Sequence, residues 1–176
     1  KGSWLAFLLD HVGAKVTGLA LAPKTNPSLF ELLDINGKCN SIIADINSAE
    51  DVKQAIDQAQ PDYIFHMAAQ PLVRYSYKQP LETFATNVMG TANVLEACKI
   101  LNKKCVVICI TTDKVYHNYE WEFPYRENDR LGGYDPYSAS KAAAELVIDS
   151  YRNSFFKNSN ISIASVRAGN VIGGGD

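Results

Sequence analysis

Tyr137 and Lys141 stand four residues apart in Tyr137-Ser138-Ala139-Ser140-Lys141, a spacing that couples a phenol to an ammonium. The pentapeptide follows Pro136 and runs into Ala142 to Ile148, a strongly helical stretch. Residues four apart share one helix face. A lysine cation there favours phenolate, so the spacing predicts a Tyr137 pKa below its reference of about 10 and a phenol usable as a base near neutral pH. The bland alternative is a surface tyrosine beside a solvated lysine.

A second cluster lies upstream. Cys105 to Ile110 is an unbroken apolar run, as expected of a strand buried on both faces. Thr111-Thr112-Asp113-Lys114-Val115-Tyr116 follows it. In open parallel sheets ligands bind outside the carboxyl ends of the strands. A hydroxyl, a carboxylate and an amine therefore arrive together where such sheets do chemistry. Read alone, this stretch is equally a polar strand-to-loop turn.

The elements that must position these groups alternate along the chain. Trp4 to Val12 reads as a helix ended by Gly13, and Lys15 to Leu21 as a strand. Asn26-Pro27-Ser28 opens a short helix through Leu33, with Gly37 closing the turn after it, and Ser41 to Asp45 is a short strand. Ser48 caps a helix, with Asp51 three residues on and Val52 and Ile56 starting its apolar stripe, until Pro61 stops it. Tyr63 to Met67 is the next strand, a long helix runs from about Leu81 to Leu101, and the last strand spans Ile161 to Val166. The alternation predicts an α/β fold, a Rossmann-like doubly wound parallel sheet with right-handed crossovers.

Composition narrows the classes. With 176 residues, 47% of them apolar, the chain can bury one domain-sized core. A net charge of −2 and the absence of any basic block argue against nucleic acid as a partner. The longest apolar runs fall far short of the roughly 20 residues that span a bilayer, so no membrane partner is expected. Cys39, Cys98, Cys105 and Cys109 show no CxxC pairing and no metal-like grouping with His11, His66 or His117, so no metal site is expected and a reduced, cytoplasmic protein is the plain reading. Cys105 and Cys109 should point to one face of their strand, and His66, in an apolar strand, reads as a satisfied core histidine.

Motifs along the whole chain carry a resemblance. They are Lys1-Gly2-Ser3-Trp4-Leu5, the stretch Leu21 to Phe30, Phe65 to Arg74, Thr86 to Thr91, Thr112-Asp113-Lys114, Leu131-Gly132-Gly133 before Tyr137 to Lys141, and Arg167 to Asp176. In this order and spacing they resemble the extended short-chain dehydrogenase/reductase family, and within it the nucleotide-sugar 4,6-dehydratases. The Asp113-Lys114 pair is similar to that of the CDP-glucose branch; the dTDP-glucose branch has Asp-Glu there.

The resemblance implies NAD-dependent dehydration of a nucleotide-activated glucose to the 4-keto-6-deoxy sugar. Tyr137 would take the proton of the sugar 4-hydroxyl, and Lys141 would lower the Tyr137 pKa and hold the nicotinamide ribose. Thr112 would hydrogen-bond near the 4-oxygen, Asp113 would protonate the departing 6-hydroxyl, and Lys114 would remove the C5 proton. Burial should raise the pKa of such an acid and lower that of such a base. For the cofactor, Gly2 would let the first helix approach the pyrophosphate, the pair Asp45-Ile46 would contact adenine, and Ala68, Ala69 and Gln70 would line the nicotinamide. Asn87 resembles the family's structural asparagine. Asp45 also reads as a turn former, and Asn87 as a buried polar residue. Arg74 and Asn170 are candidates for substrate contacts.

Several expectations remain open at this level. No acidic residue follows the strand Lys15 to Leu21 to bind a ribose 2′-hydroxyl, and Lys24 stands ready for a 2′-phosphate, so NADP stays beside NAD. A nucleotide-sugar epimerase and a non-enzymatic nucleotide-sensing module are the competing functions. The chain starts without Met, directly in a helix, and stops in Gly173-Gly174-Gly175-Asp176. It reads as residues 1–176 of a partial dinucleotide-binding domain, its first strand before Lys1 and a substrate domain beyond Asp176, in a longer protein expected to be a homo-oligomer. The sheet should then be interrupted between the strands at Lys15–Leu21 and Tyr63–Met67.

Overall fold

The computed structural model describes residues 1–175; Asp176, the last residue of the terminal glycine-rich motif, lies outside them. The order is α1 (Gly2–His11), β1 (Thr17–Ala20), α2 (Leu29–Leu32), α3 (Ile35–Lys38), β2 (Asn40–Ile43), α4 (Ala49–Ala59), β3 (Tyr63–His66), α5 (Val73–Lys78), α6 (Pro80–Phe84), α7 (Gly90–Cys98), β4 (Cys105–Thr112), α8 (Pro136–Tyr151) and β5 (Ile161–Ala168).

Local signals account for most boundaries. The Ser28 side chain caps α2 in a reciprocal box with Glu31, and the Ser48 hydroxyl accepts from Asp51 N at 3.3 Å to cap α4. Gln60, at φ 42°, ends α4 just before Pro61. Asp135 caps α8, accepting from Ser138 N at 2.9 Å, with Pro136 in the first turn where its missing N–H costs nothing.

The structure departs from the sequence reading in four places. The long helix expected from Leu81 to Leu101 begins at Pro80, ends at Cys98 and is interrupted by a π-helical turn over Ala85–Met89. That extra residue in the turn aims Asn87 inward. Helix α5 carries no sequence signal strong enough to announce it. Gly37 lies inside α3 rather than after it. Strand β4 runs on through Thr111 and Thr112, because β5 pairs with both (Thr111 opposite Arg167, Thr112 opposite Ala168).

All strand pairs are parallel, in two sheets ordered β1-β2 and β3-β4-β5. In a doubly wound order 3-2-1-4-5-6 these strands take positions 2 and 3 and positions 4, 5 and 6. No strand among the described residues takes position 1, between β1 and β3, which is the interruption expected from the sequence. Beside it apolar side chains lose burial, Tyr63 being 64% and Phe65 36% exposed. Helix α1 shows the same loss: Trp4, Leu8 and Val12 are exposed and none of its residues is buried.

The well-packed core lies on the other side. Leu95, Cys98 and Leu101 meet Cys105, Val107 and Cys109 of β4 and Ile148 of α8. Cys105 and Cys109 share the buried face of β4, as their spacing requires, and all four cysteines are free. A smaller cluster of Ile46, Val52, Val94 and Ala97 joins α4 to α7. Gly90 permits this approach, since a Cβ there would overlap the Ile46 side chain.

His66, 6% exposed at the end of β3, is the satisfied core histidine expected: its Nε2 lies 2.9 Å from Thr91 Oγ1. Burial, with help from the Lys141 charge, lowers its pKa to about 4. An unfolded imidazole titrates near 6.5, so between those values the unfolded chain binds a proton the folded one refuses. The penalty is absent above about pH 6.5, grows as pH falls and is complete below about pH 4, where it reaches about 3 kcal/mol at 1.36 kcal/mol per unit. Urea titrations across this range should therefore lose less stability in His66→Asn than in the parent; parallel curves would refute the assignment. In hydrogen–deuterium exchange, amides of β4, paired on both sides, should outlast those of β1 and β3. Equal protection would mean that the open edges are not open in solution.

Candidate active site

Two structural units meet at the carboxyl end of β4. The first is a 3₁₀ turn, Asp113–Val115, capped by Thr112, whose hydroxyl accepts from Lys114 N at 3.3 Å and donates to Asp113 Oδ1 at 3.0 Å. The second is the first turn of α8. There Tyr137 is half-buried, and its backbone N–H donates to Ser76 Oγ of α5 at 3.2 Å. Thr112 and the Asp113 charge both act on the Tyr137 phenol, the first lowering its pKa and the second raising it. A carboxylate and a phenol thus flank Thr112.

Lys141 is 5% exposed, and its Nζ donates to Ile110 O at 3.0 Å. Burial lowers its pKa to about 8, against the smaller opposing influence of Cys109 and Glu145. The Tyr137 pKa runs opposite to the expectation from the four-residue spacing. Burial raises it, and Thr112 only partly offsets this. The physical reason is direction: the ammonium points to the Ile110 carbonyl and is not among the charges that act on the phenol, so desolvation decides.

Asn87, 1% exposed, ties the unit together. Its Oδ1 accepts from Gln70 N at 2.8 Å, and its Nδ2 donates to Gln70 O at 3.1 Å and to Ser140 Oγ at 2.8 Å. Gln70 is buried and bonds Thr83 and both ends of Leu72, so the segment after β3, with Ala68 and Ala69, is fixed against α6 and α8. Gly133 lies so close to Ser138 that a Cβ there would overlap it, which sets the entry into α8.

The remaining candidates distribute as follows. Gly2 opens α1 with no atom within 4 Å of where a Cβ would stand, and the Lys1 charge is felt at Lys141. Asp45 is exposed and accepts from Asn47 N at 2.9 Å in a turn, the role its alternative reading gave it, while Ile46 is buried in the α4–α7 cluster. Arg74 is exposed on α5 and makes no hydrogen bond to the turn of Asp113, and Asn170 is exposed just beyond Gly169, where a Cβ would lie 3.5 Å from Asp113 Oδ2. Asp113 and Lys114 are themselves exposed, so the burial expected to tune them is not supplied by the described residues.

One buried charge pair escaped the sequence reading. Glu145, 5% exposed on α8, accepts from Arg167 Nε at 3.0 Å and from Thr111 Oγ1 at 2.6 Å. The signal was available: Tyr137, Lys141 and Glu145 form one stripe at four-residue spacing, continuing toward the strands. Among the described residues no group of His, Cys, Asp and Glu could hold a metal, and no helix is long and apolar enough to cross a membrane.

Comparison with known proteins gives the family. The chain is 53% identical over 181 residues to CDP-glucose 4,6-dehydratase of Salmonella typhimurium, covering 100% of this chain and 50% of that protein. It is 33% identical over 138 residues to CDP-paratose 2-epimerase of Salmonella typhi, covering 69% of this chain and 40% of that one. The chain thus spans about half the length of the curated relatives it matches. Among solved structures, UDP-glucuronic acid 4-epimerase from Bacillus cereus, in complex with UDP-glucuronic acid and NAD, superposes with a TM-score of 0.76 at 27% identity, over 94% of this chain and 52% of that one. MoeE5 in complex with UDP-glucose and NAD gives 0.75 at 25% identity, over 94% and 50%. The family model described as GDP-mannose 4,6 dehydratase matches residues 1–171, and the chain belongs to that family.

Proposed function

We propose that this chain is the catalytic, dinucleotide-binding half of a nucleotide-sugar 4,6-dehydratase, a hydro-lyase acting on CDP-glucose in deoxysugar biosynthesis for surface polysaccharides. The observation that carries the reading is the placement of Asp113 and Tyr137 on either side of Thr112, which bonds Asp113 Oδ1 and acts on the Tyr137 phenol. A redox base and an elimination acid are then within one substrate's reach. The 53% identity to a CDP-glucose 4,6-dehydratase over the whole chain supports the nucleotide.

The residues fit a nicotinamide cofactor. Lys141 is a buried ammonium with three N–H bonds and one protein acceptor, so donors remain for ribose hydroxyls. Gly2 stands in the first turn of α1, where backbone N–H groups and the helix dipole favour a pyrophosphate. NAD in two superposable neighbours supports NAD over NADP. When bound, NAD would supply the hydride acceptor for C4 and the hydride donor for C6.

This chain's residues move the protons. Tyr137 accepts the 4-hydroxyl proton, and Thr112 steadies the 4-oxygen. Oxidation at C4 acidifies C5, since the carbanion left there is an enolate. Lys114 removes the C5 proton, and Asp113 protonates the 6-hydroxyl as it leaves as water. Arg74 and Asn170 make substrate contacts in this reading. Helices α6 to α8 expose Leu81, Met89 and Leu146, a face that a second copy of the protein would cover. Four free cysteines suit a reducing, cytoplasmic setting.

Tyr137→Phe in the full-length protein should lower kcat by roughly 10²–10⁴-fold with cofactor affinity nearly unchanged. Turnover of CDP-glucose at the parent rate would remove Tyr137 from the mechanism. With deuterium at C4 of the sugar, mass analysis should find the label at C6 of the product and solvent hydrogen at C5. Label kept at C4, with no water lost, would identify an epimerase.

A further inference from the structure

Thr112 is common to the groups assigned to oxidation and to elimination, but the other bonds that hold the two sets differ. Tyr137 and Lys141 are fixed by the Asp135 cap, by Ser76, by the Asn87–Ser140 bond and by Ile110 O. None of these touches the turn that carries Asp113 and Lys114. That turn continues into Tyr116, and Tyr116 is gripped by Arg167.

Arg167 sits on β5 opposite Thr111. Its Nε and Nη2 bind the Glu145 carboxylate of α8 at 3.0 and 3.3 Å. Its Nη1 donates to Tyr116 Oη at 2.9 Å and to Glu127 O at 2.8 Å. The guanidinium also lies 4.9 Å from the centre of the Tyr116 ring, which stacks on Tyr125 at 5.1 Å. Arg167 is thus bonded both to the helix of the redox pair and to the residue that follows the acid–base turn. Only a planar fork with five donors can make all these contacts at once; a lysine in its place keeps the charge but satisfies one or two.

We propose that Arg167 is a positioning residue that holds the Asp113–Lys114 turn against α8, so that elimination depends on it more than oxidation at C4 does. The inference rests on the dehydratase reading. Deprotonation at C5 and protonation of the C6 oxygen need two side chains placed on one sugar ring, and misplacement by about 1 Å costs on the order of 10²-fold. Oxidation uses Tyr137 and Lys141, with Thr112 at the 4-oxygen, and the bonds that anchor Tyr137 and Lys141 do not involve Arg167.

The test uses full-length protein with bound NAD and compares the parent with Arg167→Lys and Tyr116→Phe. Tyr116→Phe keeps the ring stack and the Arg167–Glu145 pair and removes only the hydroxyl bond. In a single turnover, absorbance of reduced nicotinamide should rise in Arg167→Lys at nearly the parent rate. Exchange of the C5 proton with deuterated solvent and release of water should slow on the order of 10²-fold. Reduced nicotinamide should then accumulate in the steady state to a higher level than in the parent. Tyr116→Phe should shift the same ratio in the same direction by less, and it decides the matter if Arg167→Lys does not fold. Loss of both steps in proportion, or of neither, overturns the proposal. A parent enzyme that releases no water at all would instead overturn the dehydratase reading.

Discussion

The buried amide of Asn87 is the constraint on which the site depends. A primary amide sealed from water must spend its donors and acceptors on protein, and leaving one unpaired costs about 1–3 kcal/mol. Asn87 spends them on Gln70 and Ser140, joining the segment after β3, the π-helical turn and α8. The π geometry of Ala85–Met89 follows from this demand, since it rotates Asn87 into the gap between β3 and α8. Ser140 in turn donates to Tyr137 O at 2.7 Å, so the bond network ends at the backbone of Tyr137.

Electrostatics around α8 are built by burial first and by charge pairs second. Burial pushes the Lys141 pKa down and the Tyr137 pKa up, and each shift disfavours the charged form. Such a site resists charge separation until a further cation enters it. Glu145 behaves differently: burial opposes its ionisation, yet Arg167 and Thr111 together hold its pKa below the ordinary carboxylate range. The chain therefore keeps one permanent ion pair under α8, and its two functional groups stay poised above it.

The packing is asymmetric for a topological reason. Strand β4 has neighbours on both edges and its alternate residues are fully buried. β1 and β3 each pair on one edge only, and α1, apolar on all sides, buries none of its residues. The chemistry-bearing end of β4 lies in the complete part of the sheet. For that reason the Tyr137 and Asp113 units are well formed although α1 and β1 pack loosely.

By itself the sequence determined the local grammar. It announced the alternation of strands and helices, the Ser48 and Pro136 starts, the apolar run of β4 and the stripe of Tyr137 and Lys141, because propensity and periodicity are properties of neighbouring residues. The interruption beside β1 was legible too, since strand order in a doubly wound sheet is constrained. What only the tertiary structure decided were relations between distant segments. The π turn answers to Ser140, 53 residues from Asn87, and the length of β4 answers to β5. The sign of the Tyr137 shift was decided by where Lys141 points, toward Ile110 O, and by how deeply α8 is buried. The Glu145–Arg167 pair, 22 residues apart, exists because β5 lies beneath α8. Spacing along a chain encodes which groups share a face; burial, and the direction in which a buried charge finds its partner, are set only when the elements pack.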